Sequence, residues 1–282
     1  MLKPIIQGSV AWQDLYDQGY VVIKKDEYEA LAGAAKMIPN IIHFIWLTGP
    51  DSRPFNLINM VAVKAASAMQ RPDCIIMHTN EAPVGNPYWD EAAEYFEVRD
   101  VQAMRSDLPF VQYRSDVLRL EILQKEGGIY LDTDSLLLSS LMPFMDRPFT
   151  LTRESPDSLA MTPIFAMPGA PFIDYWLEGI PKAMESGVWA SHAVNLPHEL
   201  QRKMPQLCEV RPQEEFFPFD LKRNYLFETG DDIVKENWNR MGSAYALHVY
   251  ETYWANDVAK VDREYVVWNR NCLFGILFGM YI

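Results

Sequence analysis

With 282 residues and 49% hydrophobic content, the chain is long enough to bury one sizeable core. Its 25 Lys and Arg stand against 38 Asp and Glu, a net charge of -13, which argues against a nucleic-acid partner and against a polybasic grip on an anionic membrane. Three widely spaced cysteines, Cys74, Cys208 and Cys272, form no Cys-x-x-Cys metal or redox pattern and fit a reducing, cytoplasmic setting.

Residues 1–37 read as a separate helical appendage. Trp12, Leu15 and Tyr16 fall at helical spacing, Tyr20 to Ile23 form a short apolar run, and a second helical stretch reaches Lys36. The opening MLKPIIQGSVAWQDLY lacks the apolar core of a signal peptide and any membrane anchor. From there the pattern predicts a strand over 41–47, a helix over 55–70, a strand over 74–80, a helix over 88–96, and a short strand near 97–101. A helix over 112–126 and a strand over 129–132 follow. Such alternation predicts an α/β fold with a mostly parallel, Rossmann-like sheet, helices on both faces and an added helical or irregular subdomain. Ligands of such sheets bind at the carboxyl ends of the strands.

The segment YRSDVLRLEILQKEGGIYLDTDSLLL, Tyr113 to Leu138, is the most informative. Val117, Leu118, Leu120, Ile122 and Leu123 surround most of the helix circumference, the mark of a buried helix. Asp116 and Arg119, spaced i,i+3, then lie inside or at a cleft. They are either a structural ion pair, with Ser115 or Asp116 capping the helix, or a polar pair aimed at a hydroxylated ligand. Gly127 and Gly128 stop the helix, and an apolar strand delivers Asp132 and Asp134, which in extended backbone would share a face. Two carboxylates at a buried strand end need a cation or donors, and hard oxygens suit Mg2+ or Mn2+ held together with phosphate. The same tripeptide also caps turns, and it opens the haloacid-dehalogenase-type phosphatases, although much nearer the start of their catalytic domain.

Further on, Pro171 to Glu185 and Pro197 to Lys203 read as helices. Trp176, Trp189, Phe216, Phe217, Phe219 and Trp238 are expected to be mostly core, although sugar rings also stack on aromatic side chains. His43 is expected to be structural. The last residues, CLFGILFGMYI, are too few to span a bilayer and are expected to pack on the domain as part of an apolar tail over 261–282. Weak membrane-surface association is the other reading of this tail.

SDVLRLEILQKEGGIYLDTD closely resembles the Asp-X-Asp sugar-binding region of glycosyltransferase family 32, and is similar to that of the glucosylating bacterial toxins. IPNIIHFIWL, Ile38 to Leu47, resembles the family's opening strand. AMPGAPFIDYW, Ala166 to Trp176, resembles its strand, Pro-Gly and helix passage, and ALHVYETYW, Ala246 to Trp254, resembles its closing His-x5-Trp pattern. Three departures stand out. Met161-Thr162-Pro163 replaces a frequent Asn, the Gly-Pro element is not recognisable in SHAVNLPHEL, and Tyr253 stands where Ser is usual. The first two touch regions that shape the acceptor side in the family, so acceptor identity does not carry over.

The resemblance implies a GT-A type domain over 38–260 and a retaining, metal-dependent transferase. A hexose or N-acetylhexosamine would pass from a nucleotide sugar, a UDP-sugar favoured over a GDP-sugar, to a hydroxyl of a glycan, glycolipid or protein acceptor. Asp134 would bind Mn2+ or Mg2+ directly, and Asp132 would bind the metal or the donor ribose and sugar. Asp116 and Arg119 would hold donor-sugar hydroxyls, and Ile45 and Trp46 would lie under the nucleotide. His248 would ligate the metal or meet a phosphate, and Trp254 would donate its indole N–H to the diphosphate. A non-catalytic carbohydrate-binding scaffold on the same fold is the further alternative.

Overall fold

The computed structural model describes residues 37–49, 52–101, 107–108, 110–185, 187–188 and 191–282. Apart from Met37, the expected N-terminal appendage lies outside these residues, as does Trp189.

The elements expected up to the Asp-X-Asp segment are all present: β1 (Ile41–Trp46), α1 (Leu57–Gln70), β2 (Cys74–Thr79), α2 (Pro87–Ala92), β3 (Glu97–Asp100), α3 (Val111–Glu126) and β4 (Gly128–Tyr130). They are followed by β5 (Ser135–Leu137), β6 (Phe149–Ser155), β7 (Ser158–Leu159), β8 (Ile164–Ala166), α4 (Pro171–Glu185) and α5 (Leu196–Lys203). The chain closes with β9 (Glu209–Arg211), α6 (Asp231–Met241), β10 (Ala246–His248), α7 (Ala255–Val258), α8 (Arg263–Trp268) and α9 (Leu273–Phe278).

Strands run β3-β2-β1-β4-β8-β6-β7 across the main sheet, with β9 beside β6. The first four are parallel, whereas β8 and β6 continue the sheet antiparallel. Alternation along β1 sends Ile42 and Phe44 into one core cluster, with α1 and the C-terminal helices. Ile45 and Leu47 go into the other, with α3 and α4. Both faces of the sheet are therefore covered, as a parallel sheet requires, and the mostly parallel α/β arrangement expected from the sequence is the one adopted. Trp176, Phe216, Phe217 and Phe219 are core, whereas Trp238 is 46% exposed. Leu273, Phe274, Leu277 and Phe278 of the apolar tail are buried in the first cluster. Among the described residues no helix is long and apolar enough to cross a membrane.

Two local expectations are corrected. Helix α3 begins at Val111 after Phe110, with no side-chain cap, so Ser115 and Asp116 lie inside it and cap nothing; their side chains are thereby free for other partners. Strand β4 ends at Tyr130, and Asp132 and Asp134 lie on a turn closed by a Ser135 N–H to Asp132 carbonyl bond of 2.9 Å. The two carboxylates converge because the chain folds back, not because of strand alternation. Gly127 ends α3 at φ 68, and a Cβ there would lie 2.5 Å from Pro168 Cδ and 2.9 Å from the Ala166 carbonyl oxygen, so no other residue fits this stop.

The Gly127 carbonyl also orders a buried histidine pair. It accepts from His43 Nε2 at 2.9 Å, which leaves His43 Nδ1 as an acceptor for His78 Nε2–H at 3.0 Å. Both rings are buried, and burial lowers their pKa values, His43 to about 4 and His78 to about 3. A folded-state value below the unfolded one means that the unfolded chain binds more protons. Their contribution is thus complete above about pH 6.5 and is lost as pH falls toward 4 and 3. Acidification from pH 7 to 5 is expected to cost about 2 kcal/mol per histidine. His78→Gln keeps a donor and cannot protonate, so melting temperatures at pH 7 and pH 5 should differ less for it than for the parent chain; equal losses would contradict this assignment.

Candidate active site

The parallel strands end at a cleft of about 920 Å³, lined among others by Ile45, Trp46, Asp116, Arg119, Asp132, Asp134, His248 and Glu251. Three segments build it: the end of β1, the second turn of α3, and the Asp-bearing turn after β4. A two-stranded ribbon completes it, because β5 and β10 pair with Ser135 opposite His248. That register carries the imidazole onto the two carboxylates. His248 Nε2 lies 3.1 Å from Asp134 Oδ1 and 3.5 Å from Asp132 Oδ2.

One ligand atom from each of Asp132, Asp134 and His248 fits within a mutual 4.8 Å, close enough together to hold a cation. The imidazole supports this fit independently: both of its nitrogens are buried without an aligned hydrogen-bond partner, close as the carboxylates are. Burial alone would lower the His248 pKa, but Asp134 and Asp132 outweigh it and raise the value to about 10. Without a cation the ring therefore carries a proton at neutral pH and offsets part of the carboxylate charge; a bound cation would take the place of that proton.

Asp132 is held from several sides. Its Oδ1 accepts from the Tyr130 hydroxyl at 2.7 Å and lies 3.4 Å from Arg119 Nη1, while its backbone N–H donates to Thr162 Oγ1 at 2.9 Å. Burial would raise its pKa, yet Arg119 and His248 prevail and lower it. Arg119 is 6% exposed and stacks on the Tyr130 ring at 4.4 Å. It pairs with Asp116 Oδ1 at 2.9 Å and donates to the Met161 carbonyl at 2.9 Å. The i,i+3 pair is thus an ion pair and a cleft wall at once.

On the other side, Asp134 Oδ2 accepts the Glu251 backbone N–H at 2.9 Å, and the Asp134 carbonyl accepts from Val249 at 3.0 Å. The Glu251 carboxylate is buried against the start of α1, taking hydrogen bonds from Asn56 and, at 3.1 Å, from Asn59. Burial raises its pKa, and Asp134 adds to the rise. Arg53 reaches the Glu251 carbonyl at 2.7 Å. Tyr250, at φ 57, sets its ring edge-on to His248 at 4.4 Å.

Of the residues expected at the site, Ile45, Trp46, Asp116, Arg119, Asp132, Asp134 and His248 come together. Trp254 does not line the cleft; it precedes α7, partly buried against the core beside Tyr253. Tyr253 itself lines the cleft and is 63% exposed. Glu251, Asn56, Asn59, Tyr130 and Thr162 were not anticipated. The Asn-x-x-Asn pair ahead of an apolar run, which forms a capping box, was the one legible signal among them.

Residues 57–150 match the family model described as a glycosyltransferase sugar-binding region containing a DXD motif. Over these residues the chain carries a DXD-type glycosyltransferase sugar-binding region. Two curated proteins are similar. The Glucan organizing enzyme 1 of Cryptococcus neoformans is 26% identical over 83% of this chain and 68% of its own. The Inositol phosphoceramide mannosyltransferase 3 of Schizosaccharomyces pombe is 28% identical over 55% of this chain and 40% of its own. Among solved structures, the PaToxG glycosyltransferase aligns with a TM-score of 0.48 at 13% identity, covering 96% of this chain and 95% of that one. The family match favours neither the phosphatase nor the scaffold alternative.

Arg119 is shared by Asp116 and Asp132, so Arg119→Met is expected to remove the permanent charge that both carboxylates face and to destabilise the fold by about 3 kcal/mol. Urea unfolding measures this. An unchanged midpoint would mean that the two acids are solvated well enough to dispense with the guanidinium.

Proposed function

We propose that the chain transfers a hexose or N-acetylhexosamine from a nucleoside diphosphate sugar to a hydroxyl of a glycan, glycolipid or protein acceptor, with retention of configuration and with dependence on Mn2+ or Mg2+. The observation that carries this reading is the Asp132, Asp134 and His248 cluster, at the floor of a cleft whose wall is the Asp116 and Arg119 pair. Carboxylates and an imidazole suit Mn2+ well, and the turn geometry leaves the cleft side open. When bound there, the divalent cation supplies positive charge to the leaving diphosphate, the main electrostatic demand of the reaction.

The protein's own residues do the rest by positioning. Asp134 is anchored by the Glu251 and Val249 backbone contacts, and Asp132 by Tyr130, Thr162 and Arg119, so both carboxylates hold their places with little reorganisation. Asp116 presents its carboxylate to sugar hydroxyls beside Arg119. Ile45 and Trp46 form the apolar floor on which a nucleoside rests, and the Trp46 indole N–H there is buried with no protein partner. The retaining outcome follows from the family resemblance, in which the leaving phosphate assists attack from the same face and no enzyme nucleophile is needed. A UDP-sugar is the favoured donor. Because one similar protein is named a mannosyltransferase acting on inositol phosphoceramide, mannose donors and a glycolipid acceptor also belong in the test.

Incubation with a panel of UDP- and GDP-sugars and Mn2+ should release the nucleoside diphosphate from at least one donor, with loss of the signal in EDTA. Asp134→Ala is expected to lower that rate about 100-fold or more. Retention of the full Mn2+-dependent rate by this variant would refute the metal assignment.

A further inference from the structure

We propose that His192 is a positioning residue that holds the Asp116 carboxylate in the orientation in which it meets the donor sugar. The role rests on the reading of the cleft as a nucleotide-sugar site. His192 belongs to SHAVNLPHEL, a segment with no recognised family element, and lies in a π-helical turn, Ser191–Asn195, ahead of α5. It is 1% exposed and stands behind the cleft wall, outside the cleft's lining.

Its Nε2 lies 3.1 Å from Asp116 Oδ2, while Asp116 Oδ1 takes Arg119 Nη2 at 2.9 Å. Two donors from separate elements, one on each oxygen, fix the carboxylate plane against rotation. Each oxygen retains acceptor capacity for a ligand hydroxyl, and Asp116 lines the cleft.

Arg119 cannot provide this orientation alone. It is shared with Asp132 and with the Met161 carbonyl, so a carboxylate held by Arg119 only would pivot about a single contact. The His192 ring is itself immobilised: Tyr113 packs edge-on at 4.6 Å, and the His192 carbonyl accepts the indole N–H of Trp176 at 2.8 Å. Trp176 is fully buried on α4. Core packing on that helix thereby reaches the donor wall through His192 and Asp116, and continues through Arg119 to Asp132. Hydrogen-bonded supports behind a ligand-binding group are often as consequential as the group itself.

The test is a double-mutant cycle read as kcat/KM for the nucleotide sugar of the UDP and GDP panel that the parent protein cleaves fastest with Mn2+. His192→Leu is expected to lose about 10- to 100-fold, and His192→Gln, whose amide nitrogen reaches the Nε2 position, is expected to keep most of the rate. In the Asp116→Ala background, His192→Leu should cost little more. If His192→Leu does not fold, His192→Asn replaces it, since its amide is too short to reach Asp116. An equal loss from the His192 substitution with and without Asp116, or an equal loss for His192→Gln and the shortened variant, overturns the positioning role while leaving the transferase reading intact. Failure of the parent protein to cleave any donor of the panel overturns that reading and this role with it.

Discussion

The structure depends on one electrostatic constraint: several carboxylates are gathered around the cleft at the ends of the parallel strands in a protein that is already strongly acidic. Asp116, Asp132, Asp134 and Glu251 surround a single cleft, and each would repel its neighbours and lose hydration there. The chain answers with opposite charge where it must be permanent and with neutral donors where it need not be. Arg119 is wedged between Asp116 and Asp132, the His248 imidazolium sits between Asp132 and Asp134, and Glu251 is met by the amides of Asn56 and Asn59. Such a site is stable enough to form but retains a demand for positive charge on its open side. A divalent cation, as the proposed transfer requires, would meet that demand.

The fold places these groups with two devices. The parallel strands of the main sheet bring Trp46 and the Asp-bearing turn to one edge, the usual ligand edge of such sheets. The β5 and β10 ribbon then returns residues 246–248 to that edge, and its register fixes His248 opposite Ser135. A one-residue slip would point the imidazole away from the carboxylates. Stability of the ribbon and integrity of the site are therefore one property.

Much of this was legible in the sequence because the determining signals were local. Buried helix α3, its Gly127 stop and the apolar strand after it follow from periodicity and glycine chemistry, and strands β1 and β2 follow from short apolar runs between turns. The convergence of Asp132 and Asp134 was anticipated, but through strand alternation instead of a turn. Glu251 was not legible, since an acidic residue in an aromatic run reads as exposed until Asn56 and Asn59 are seen to close on it. Thr162 and Met161, which appeared as departures from the family pattern, turn out to hold Asp132 and Arg119 through a hydroxyl and a carbonyl. His192 was hidden for a similar reason: its partner lies on a helix far away in sequence, and only packing joins them.

The most direct measurement of the central claim is anomalous scattering from crystals grown with Mn2+ and a nucleoside diphosphate. The account predicts a manganese peak bonded to Asp134, within reach of Asp132 and His248, with the diphosphate on its open side. A peak elsewhere in the chain, or nucleotide bound in the cleft while the His248 ring remains alone between the two carboxylates, would contradict it.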